Sequence, residues 1–299
     1  MALGLLASLP DPAPSGTESS AEGTQIVFLG TGNPNPDPDH QGPCLAIIVR
    51  GQPYLVDCGP GLVRQASAAH AKGFTGLTMD RLTRAFITHL HSDHTLGLPD
   101  LMFTPAVTGR KERLELVGPA GLADMTRHIE EAWSEDRNVR FHGGEPAEPK
   151  AYEVRVHEIQ GDGLVYEGAN VKVRAFTVSH GKWLHAYGYR FETPDRVIVV
   201  SGDTTYCPNL IENAKGCDVL IHEAYSAEGL RRRTPDWQAY HSEYHTSGPD
   251  VGRIANAVRP KLLLLYHELP FGQANGEILR EVQSVYDGDV REAQDLAGY

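Results

Sequence analysis

Residues 84–94 read Arg-Ala-Phe-Ile-Thr-His-Leu-His-Ser-Asp-His, a short β-type run (RAFIT, 84–88) that leads directly into THLHSDH (88–94). Three imidazoles, His89, His91 and His94, and one carboxylate, Asp93, fall within six residues. Neutral imidazole and carboxylate are good donors to zinc and related divalent ions. In extended backbone, side chains two residues apart point the same way, so His89 and His91 share a face while a turn through Ser92 brings Asp93 and His94 round to a second. A structural zinc site wants four closed ligands, usually including cysteine, and this run contains none. The pattern predicts a metal centre on a loop at a strand end, where catalytic groups collect.

Outward from this run the chain alternates strand and helix signals. Before it stand QIVFLG, LAIIVR and PYLVDCG, short β-rich runs bounded by Gly or Pro, and a helix is expected over 62–72. After it, apolar spacing predicts helices over 96–107 and 122–133, with the strand LELVG between them. YEVRVHEI and VKVRAFTVSH read as strands, and AYGYRFE and RVIVVSGD as a hairpin around the turn TPDR. The last third alternates a short helix (210–214), the strand VLIHEA, a helix capped by Ser247, the strand LLLLYHE and a helix over 278–286. Two β-blocks, each with its own helices, predict an α/β fold layered as an αββα sandwich.

Composition sets the outer bounds. The chain has 299 residues, 22% charged and 40% hydrophobic, as in ordinary globular proteins, and no stretch approaches the roughly 20 apolar residues that span a bilayer. With no visible repeat or long internal linker, a single domain over 24–299 is expected. The Pro-, Gly- and Ser-rich stretch that follows ALGLLASL makes 1–23 a flexible leader on this reading. ALGLLASL lacks a basic n-region, so the compartment is open between the cytoplasm and, if 1–20 are the remainder of a signal segment, the periplasm or exterior. Cys44, Cys58, Cys207 and Cys217 form no CxxC pair and read as buried thiols. Asp and Glu outnumber Lys and Arg by 39 to 27, a net charge of −12 that disfavours polyanionic partners.

THLHSDH resembles the HxHxDH signature of the metallo-β-lactamase superfamily, and four further motifs follow that pattern in order. Asp57 in LVDCGPG precedes the signature; His180 in VSHG, Asp203 in SGDT and His267 in LLYHE come after it. The resemblance implies that His89, His91 and His180 hold one zinc ion and Asp93, His94 and His267 a second. Asp203 then bridges the two, and Asp57 orients the histidine loop. Two metal ions per chain, with Mn²⁺ or Fe²⁺ as possible substitutes for Zn²⁺, share a hydroxide and hydrolyse ester-type bonds. Asp93 counts among the catalytic residues as well as the ligands.

Within the superfamily, FLGTG (28–32), YGYRFE (187–192), SGDT (201–204), HEAY (222–225) and YHTS (244–247) resemble the ribonuclease Z branch. That resemblance implies that Glu223 tunes His245, which gives a proton to the leaving oxygen. Two departures speak against tRNA processing. Only 22 residues separate His180 from Asp203, where the tRNA enzymes carry a long basic arm, and the loop NPNPDPDHQGP (33–43) has no Lys or Arg. The expected substrate is therefore a small ester: a phosphodiester, an aryl sulfate or a lactone. A tRNA 3′ endonuclease lacking the arm is the alternative, and weak β-lactam hydrolysis a further one. A non-catalytic or redox metal module lacks support, because the histidine run has no inserted carboxylate of the flavodiiron kind. Arg231–Arg233 is the one basic cluster near the site, a grip for an anionic substrate or a solvated loop. Trp183, His185 and Tyr187 stand as wall or packing residues, and a homodimer is possible as in the related family.

Overall fold

The computed structural model of the protein describes residues 23–299, so the expected leader lies outside the described residues except for Gly23. Thirteen strands form two sheets in that range. The first contains β1 (Gln25–Gly30), β2 (Cys44–Val49), β3 (Gln52–Val56), β4 (Arg84–Phe86), β5 (Leu114–Gly118) and β6 (Val154–Glu158), side by side in chain order. The second contains β7 (Gly163–Glu167), β8 (Lys172–Thr177), β9 (Tyr187–Glu192), β10 (Val197–Val200), β11 (Val219–Tyr225), β12 (Leu262–Leu269) and β13 (Val290–Glu292), also in chain order. Each sheet is mixed, antiparallel in one part and parallel in the other; β3 to β6 and β10 to β13 are the parallel blocks. Parallel strands need crossover helices, which cover the outer faces.

Side-chain alternation builds the layers. Along β1, Ile26 and Phe28 point between the sheets, while Val27 and Leu29 point outward to the helices Leu62–Ala71 and Leu98–Thr108. Along β12, Leu264 and Tyr266 face inward, and Leu263 and Leu265 meet the helices Gly248–Val258 and Glu277–Gln283. Strands buried on both faces need apolar residues at every position, which is why LLLLY carries no polar alternation. Each fully buried large apolar side chain contributes about 1.5–3 kcal/mol. The αββα sandwich read from the sequence is the observed fold, and all four cysteines are buried and unpaired. Among the described residues, no helix is long and apolar enough to cross a membrane.

Some elements escaped the sequence reading. The helix expected over 96–107 is instead a short turn of helix, Ser92–Thr95, followed by Leu98–Thr108, because Gly97 packs against the carbonyls of Cys58 and Gly59. β7 and the helices Ser134–His142, Ala227–Arg231 and Pro235–Tyr244 were not foreseen. Two of these, Ser134–His142 and Pro235–Tyr244, bury no residue, so neither has an inward apolar stripe to read.

The C-terminal tail closes the first sheet. Tyr299 exchanges two backbone hydrogen bonds with Ile26, and the Asp295 carboxylate accepts from Thr31 N, Thr31 Oγ1, Gln41 N and Gln65 Nε2 at 2.7–3.2 Å. Asp295 thereby clamps both ends of the loop after β1. The carbonyl of Thr31 in turn accepts from the His267 N–H at 3.0 Å. We predict that Asp295→Ala, which strands several buried donors at about 1–3 kcal/mol each, speeds amide hydrogen exchange across 31–42 and lowers the thermal midpoint. Unchanged exchange there contradicts the clamp.

Candidate metal centre

The parallel strands end at one rim of the sandwich, and the motif residues collect on it. Asp57 follows β3, residues 88–94 follow β4, His180 follows β8 and Asp203 follows β10. Glu223 lies in β11 and His267 in β12. Asp57 and His267 adopt left-handed backbone (φ 61° and 47°), which is uncommon for non-glycine residues and turns both side chains out of the strand direction into the rim.

Three ring nitrogens converge first. His89 Nε2 and His180 Nε2 lie 2.9 and 3.1 Å from His91 Nδ1. Nitrogens bound to one tetrahedral ion at about 2.0–2.1 Å stand roughly 3.3 Å apart, so the spacing suits a shared cation. A second set lies beside it: His267 Nε2 is 3.1 Å and His94 Nε2 3.5 Å from Asp93 Oδ2. Asp203 Oδ2 stands between the sets, 3.8 Å from His89, 3.5 Å from His94 and 3.7 Å from His267. Within each group, His89, His91, His180 with Asp203 and Asp93, His94 with His267, one donor atom per residue lies within 4.8 Å of the others. His94 Nε2 and Asp203 Oδ1 are buried without any hydrogen-bond partner. Buried polar atoms normally have partners, and unsatisfied ring nitrogen and carboxylate oxygen on residues of one buried cluster are what a metal site requires. The residues therefore fit a pair of divalent ions.

Outer contacts set which nitrogen carries the hydrogen. His94 Nδ1–H donates to Asp57 Oδ2 at 2.8 Å, so Nε2 faces the cluster; burial is outweighed by Asp203 and Asp57, which push His94 up, and its Nε2 proton has to leave when a metal binds. Asp57 also accepts from Thr88 N and Thr88 Oγ1. The Thr88 hydroxyl accepts in turn from His89 Nδ1–H at 3.0 Å, and His180 Nδ1–H donates to the Tyr244 carbonyl at 2.7 Å. His91 differs: its outer Nε2 accepts from the Trp183 indole N–H at 2.8 Å, which puts the hydrogen of the neutral ring on Nδ1, so His91 ligates only after its ring flips or this contact is given up. Burial holds His180 down to about 4 and lowers His89 and His91, which keeps these imidazoles neutral, as ligands must be. Burial also pushes on Asp203, but the charges of His267 and His94 outweigh it and hold the carboxyl well below the usual range.

Glu223 and His245 lie together at the inner edge, with Glu223 Oε2 3.4 Å from His245 Nδ1. Glu223 Oε1 accepts from Thr246 N at 2.8 Å and Thr204 N at 3.3 Å. The electrostatics depart from the expected tuning. Burial, partly offset by Asp203, holds His245 down to about 4. Burial and then Asp203 push Glu223 well above the carboxylate range. A carboxyl that is itself reluctant to ionise does little to keep its neighbour protonated.

The cleft over these groups holds about 510 Å³. Asp93, Asp203, His245 and His267 line it together with Trp237, Tyr240 and Phe271. Of the three residues left undecided between wall and packing, Trp183 braces His91 and Tyr187 is buried between the sheets. His185 is exposed and takes no part in lining the cleft. The loop after β1 offers Pro34 and Asn35 to the cleft, while its acidic residues Asp37 and Asp39 stay outside the lining, so no acidic rim forms there. The sequence reading missed the wall on Pro235–Tyr244; its trace was the spacing of Trp237, Tyr240, His241 and Tyr244 along one helical face.

Residues 53–267 match the Beta-lactamase superfamily domain. Ribonuclease Z of Mycobacterium marinum is 31% identical over 251 residues, covering 82% of this chain and 86% of its own length. Ribonuclease Z of Mycobacterium bovis is 29% identical over 278 residues, covering 91% and 96%. Among solved structures, the metallo-beta-lactamase fold protein YhfI from Bacillus subtilis superposes with a TM-score of 0.71 at 17% identity, covering 93% of this chain and all of that one. Human tRNase Z, short form, superposes with a TM-score of 0.68 at 23% identity, covering 92% and 98%. The chain belongs to the metallo-β-lactamase superfamily, in its ribonuclease Z-like branch, and is a metal-dependent hydrolase.

We predict that Asp57→Ala, which touches no donor atom of the cluster directly, weakens zinc retention about 10–100-fold through the His94 and Thr88 contacts. Competition with a chromogenic chelator measures it; unaltered retention contradicts the outer-contact account.

Proposed function

We propose that the protein is a two-metal phosphodiesterase, with zinc as its native metal. His89, His91 and His180 hold one ion, Asp93, His94 and His267 the other, and Asp203 reaches both. The carrying observation is the position of Asp203 Oδ2 within 3.8 Å of ring nitrogens from both sets. Bound divalent metals supply Lewis acidity and a water that loses its proton near neutral pH. The chain's own residues do the rest. Asp57 and Thr88 fix the ring orientations, and the closed sheet rim excludes bulk water from one side. Burial leaves His245 neutral and Glu223 protonated, so the proton for the leaving oxygen comes from the pair: His245 gives its ring N–H on the cleft side as its Nδ1 takes the proton of Glu223 Oε2, 3.4 Å away, and Asp93 positions the attacking side.

The relatives named ribonuclease Z support an RNA phosphodiester, at the 3′ end of a tRNA precursor, as the substrate. A second reading, a small ester, rests on a specific observation: only the tight turn 193–196 joins β9 to β10, so the hairpin between His180 and Asp203 carries no arm. The net charge of −12 favours the same reading. Phosphodiester hydrolysis is common to both.

The test is turnover of a precursor tRNA, bis(p-nitrophenyl) phosphate, p-nitrophenyl sulfate, a lactone and nitrocefin by the zinc-loaded protein. A phosphodiester is cleaved by the wild type and at least about 100-fold more slowly by Asp203→Ala, because even the outer contacts of metal sites cost 10–100-fold. Cleavage of the tRNA alone selects the first reading, and cleavage of a small ester alone the second. No turnover with metal bound defeats both. General acids contribute about 10²–10⁴-fold, so His245→Ala lowers kcat by that order on an RNA leaving group. Its cost is much smaller on p-nitrophenolate, which leaves without a proton; equal losses on both contradict the role given to His245.

A further inference from the structure

In the same cleft as the candidate metal ligands stands a wall of rings that metal binding does not explain. Helix Pro235–Tyr244 buries none of its residues, yet it sets Trp237, Tyr240 and His241 along the cleft. Trp237 is 54% exposed and Tyr240 38%. The rings are ordered against one another: Trp237 lies nearly parallel to His241 (5.5 Å, 22°), and Phe271 meets His241 at 4.5 Å. Phe271 is held at φ 51°, a conformation that costs energy for a bulky residue. Exposed aromatic surface gathered beside a reactive site marks a place where a ligand finishes the packing.

The basic cluster divides at this wall. Arg231 and Arg232 both pair with Glu228 on the solvent side. Arg233 has no carboxylate partner among the described residues; its guanidinium carbon sits 5.4 Å over the Phe271 ring, and the residue lines the cleft. A guanidinium seated on an aromatic face keeps its N–H edges free for an anion. The same cleft therefore carries exposed aromatic rings, with a guanidinium that has no carboxylate partner among the described residues beside them, together with the candidate metal ligands.

We propose that the wall binds a flat aromatic ring carried by an anionic ester, with the ring against Trp237 and Phe271 and Arg233 on the anionic group. This rests on the phosphodiesterase reading for the place of the ester, and it names the substrate class that reading leaves open. The ring is a nucleobase beside the scissile phosphate or the aryl group of a small ester; both present the same stacking chemistry.

Binding, rather than turnover, tests it. Titration calorimetry on the zinc-loaded full chain compares adenosine 5′-monophosphate, phenyl phosphate and methyl phosphate, which share the anionic head. A stacked ring gives an advantage of about tenfold or more over methyl phosphate. Trp237→Ala removes that advantage, Trp237→Phe keeps most of it, and Arg233→Ala weakens all three ligands. Trp237 is half exposed, so its loss leaves the core intact. An advantage confined to the adenosine ligand identifies a nucleobase pocket, and one confined to phenyl phosphate an aryl pocket; either result supports the wall. Equal affinity for all three phosphates, or an advantage that survives Trp237→Ala, overturns it. A ring advantage without any phosphodiester turnover keeps the wall and removes the phosphodiesterase reading, whereas turnover without a ring advantage does the reverse.

Discussion

Asp203 is 2% exposed and stands within 3.9 Å of ring nitrogens from His89, His94, His245 and His267. A carboxylate buried this way is costly unless cationic partners surround it, and neutral imidazoles alone do not repay the lost hydration. Most of the rim serves that single constraint. Gly202, at φ 61°, turns the chain so that Asp203 leaves β10 into the cluster, and a Cβ at Gly202 meets the Tyr187 carbonyl at 2.7 Å. Asp57, itself at positive φ, holds the histidine loop from behind through Thr88 and His94. The C-terminal tail, through Asp295 and Thr31, holds His267 from the far side.

The candidate ligand residues were legible because they sit where strand runs end. THLHSDH is contiguous, and VSHG, SGDT and LLYHE each close a β-type run, so convergence at one rim follows once the strands lie parallel. The layers were legible for a related reason: LAIIV and LLLLY are apolar at every position, which only a sheet covered on both faces tolerates. The aromatic wall was not. Its helix buries no residue fully and its one ring-bearing face is aromatic rather than aliphatic, so the value of Trp237 and Tyr240 appears only when Phe271, 34 residues beyond Trp237, folds into the same cleft. Asp295 was hidden likewise, since a lone aspartate in QDLAGY says nothing about four donors more than 200 residues away. Sequence resemblance also suggested that Glu223 tunes His245, whereas burial penalises charge on both groups, and spacing carries no information about desolvation.

The cleft separates two tasks that the scaffold handles independently. Parallel strand ends, rigid and buried, supply the donor set, which suits a reaction whose geometry tolerates little error. Solvated helices and the loop after β12 supply the aromatic wall, where residues change without disturbing the core. On the proposed reading, the chemistry shared across the superfamily resides in the rim and the choice of ester in the wall. The divided arginine cluster illustrates the point, since three adjacent residues with the same charge face two different environments.

The most direct test of this account is anomalous diffraction at the zinc edge from crystals of the zinc-loaded protein. The account predicts two peaks, one among His89, His91 and His180 and the other among Asp93, His94 and His267, with the Asp203 carboxylate between them. A protein that binds no zinc at this rim, or places its ions away from Asp203, contradicts it.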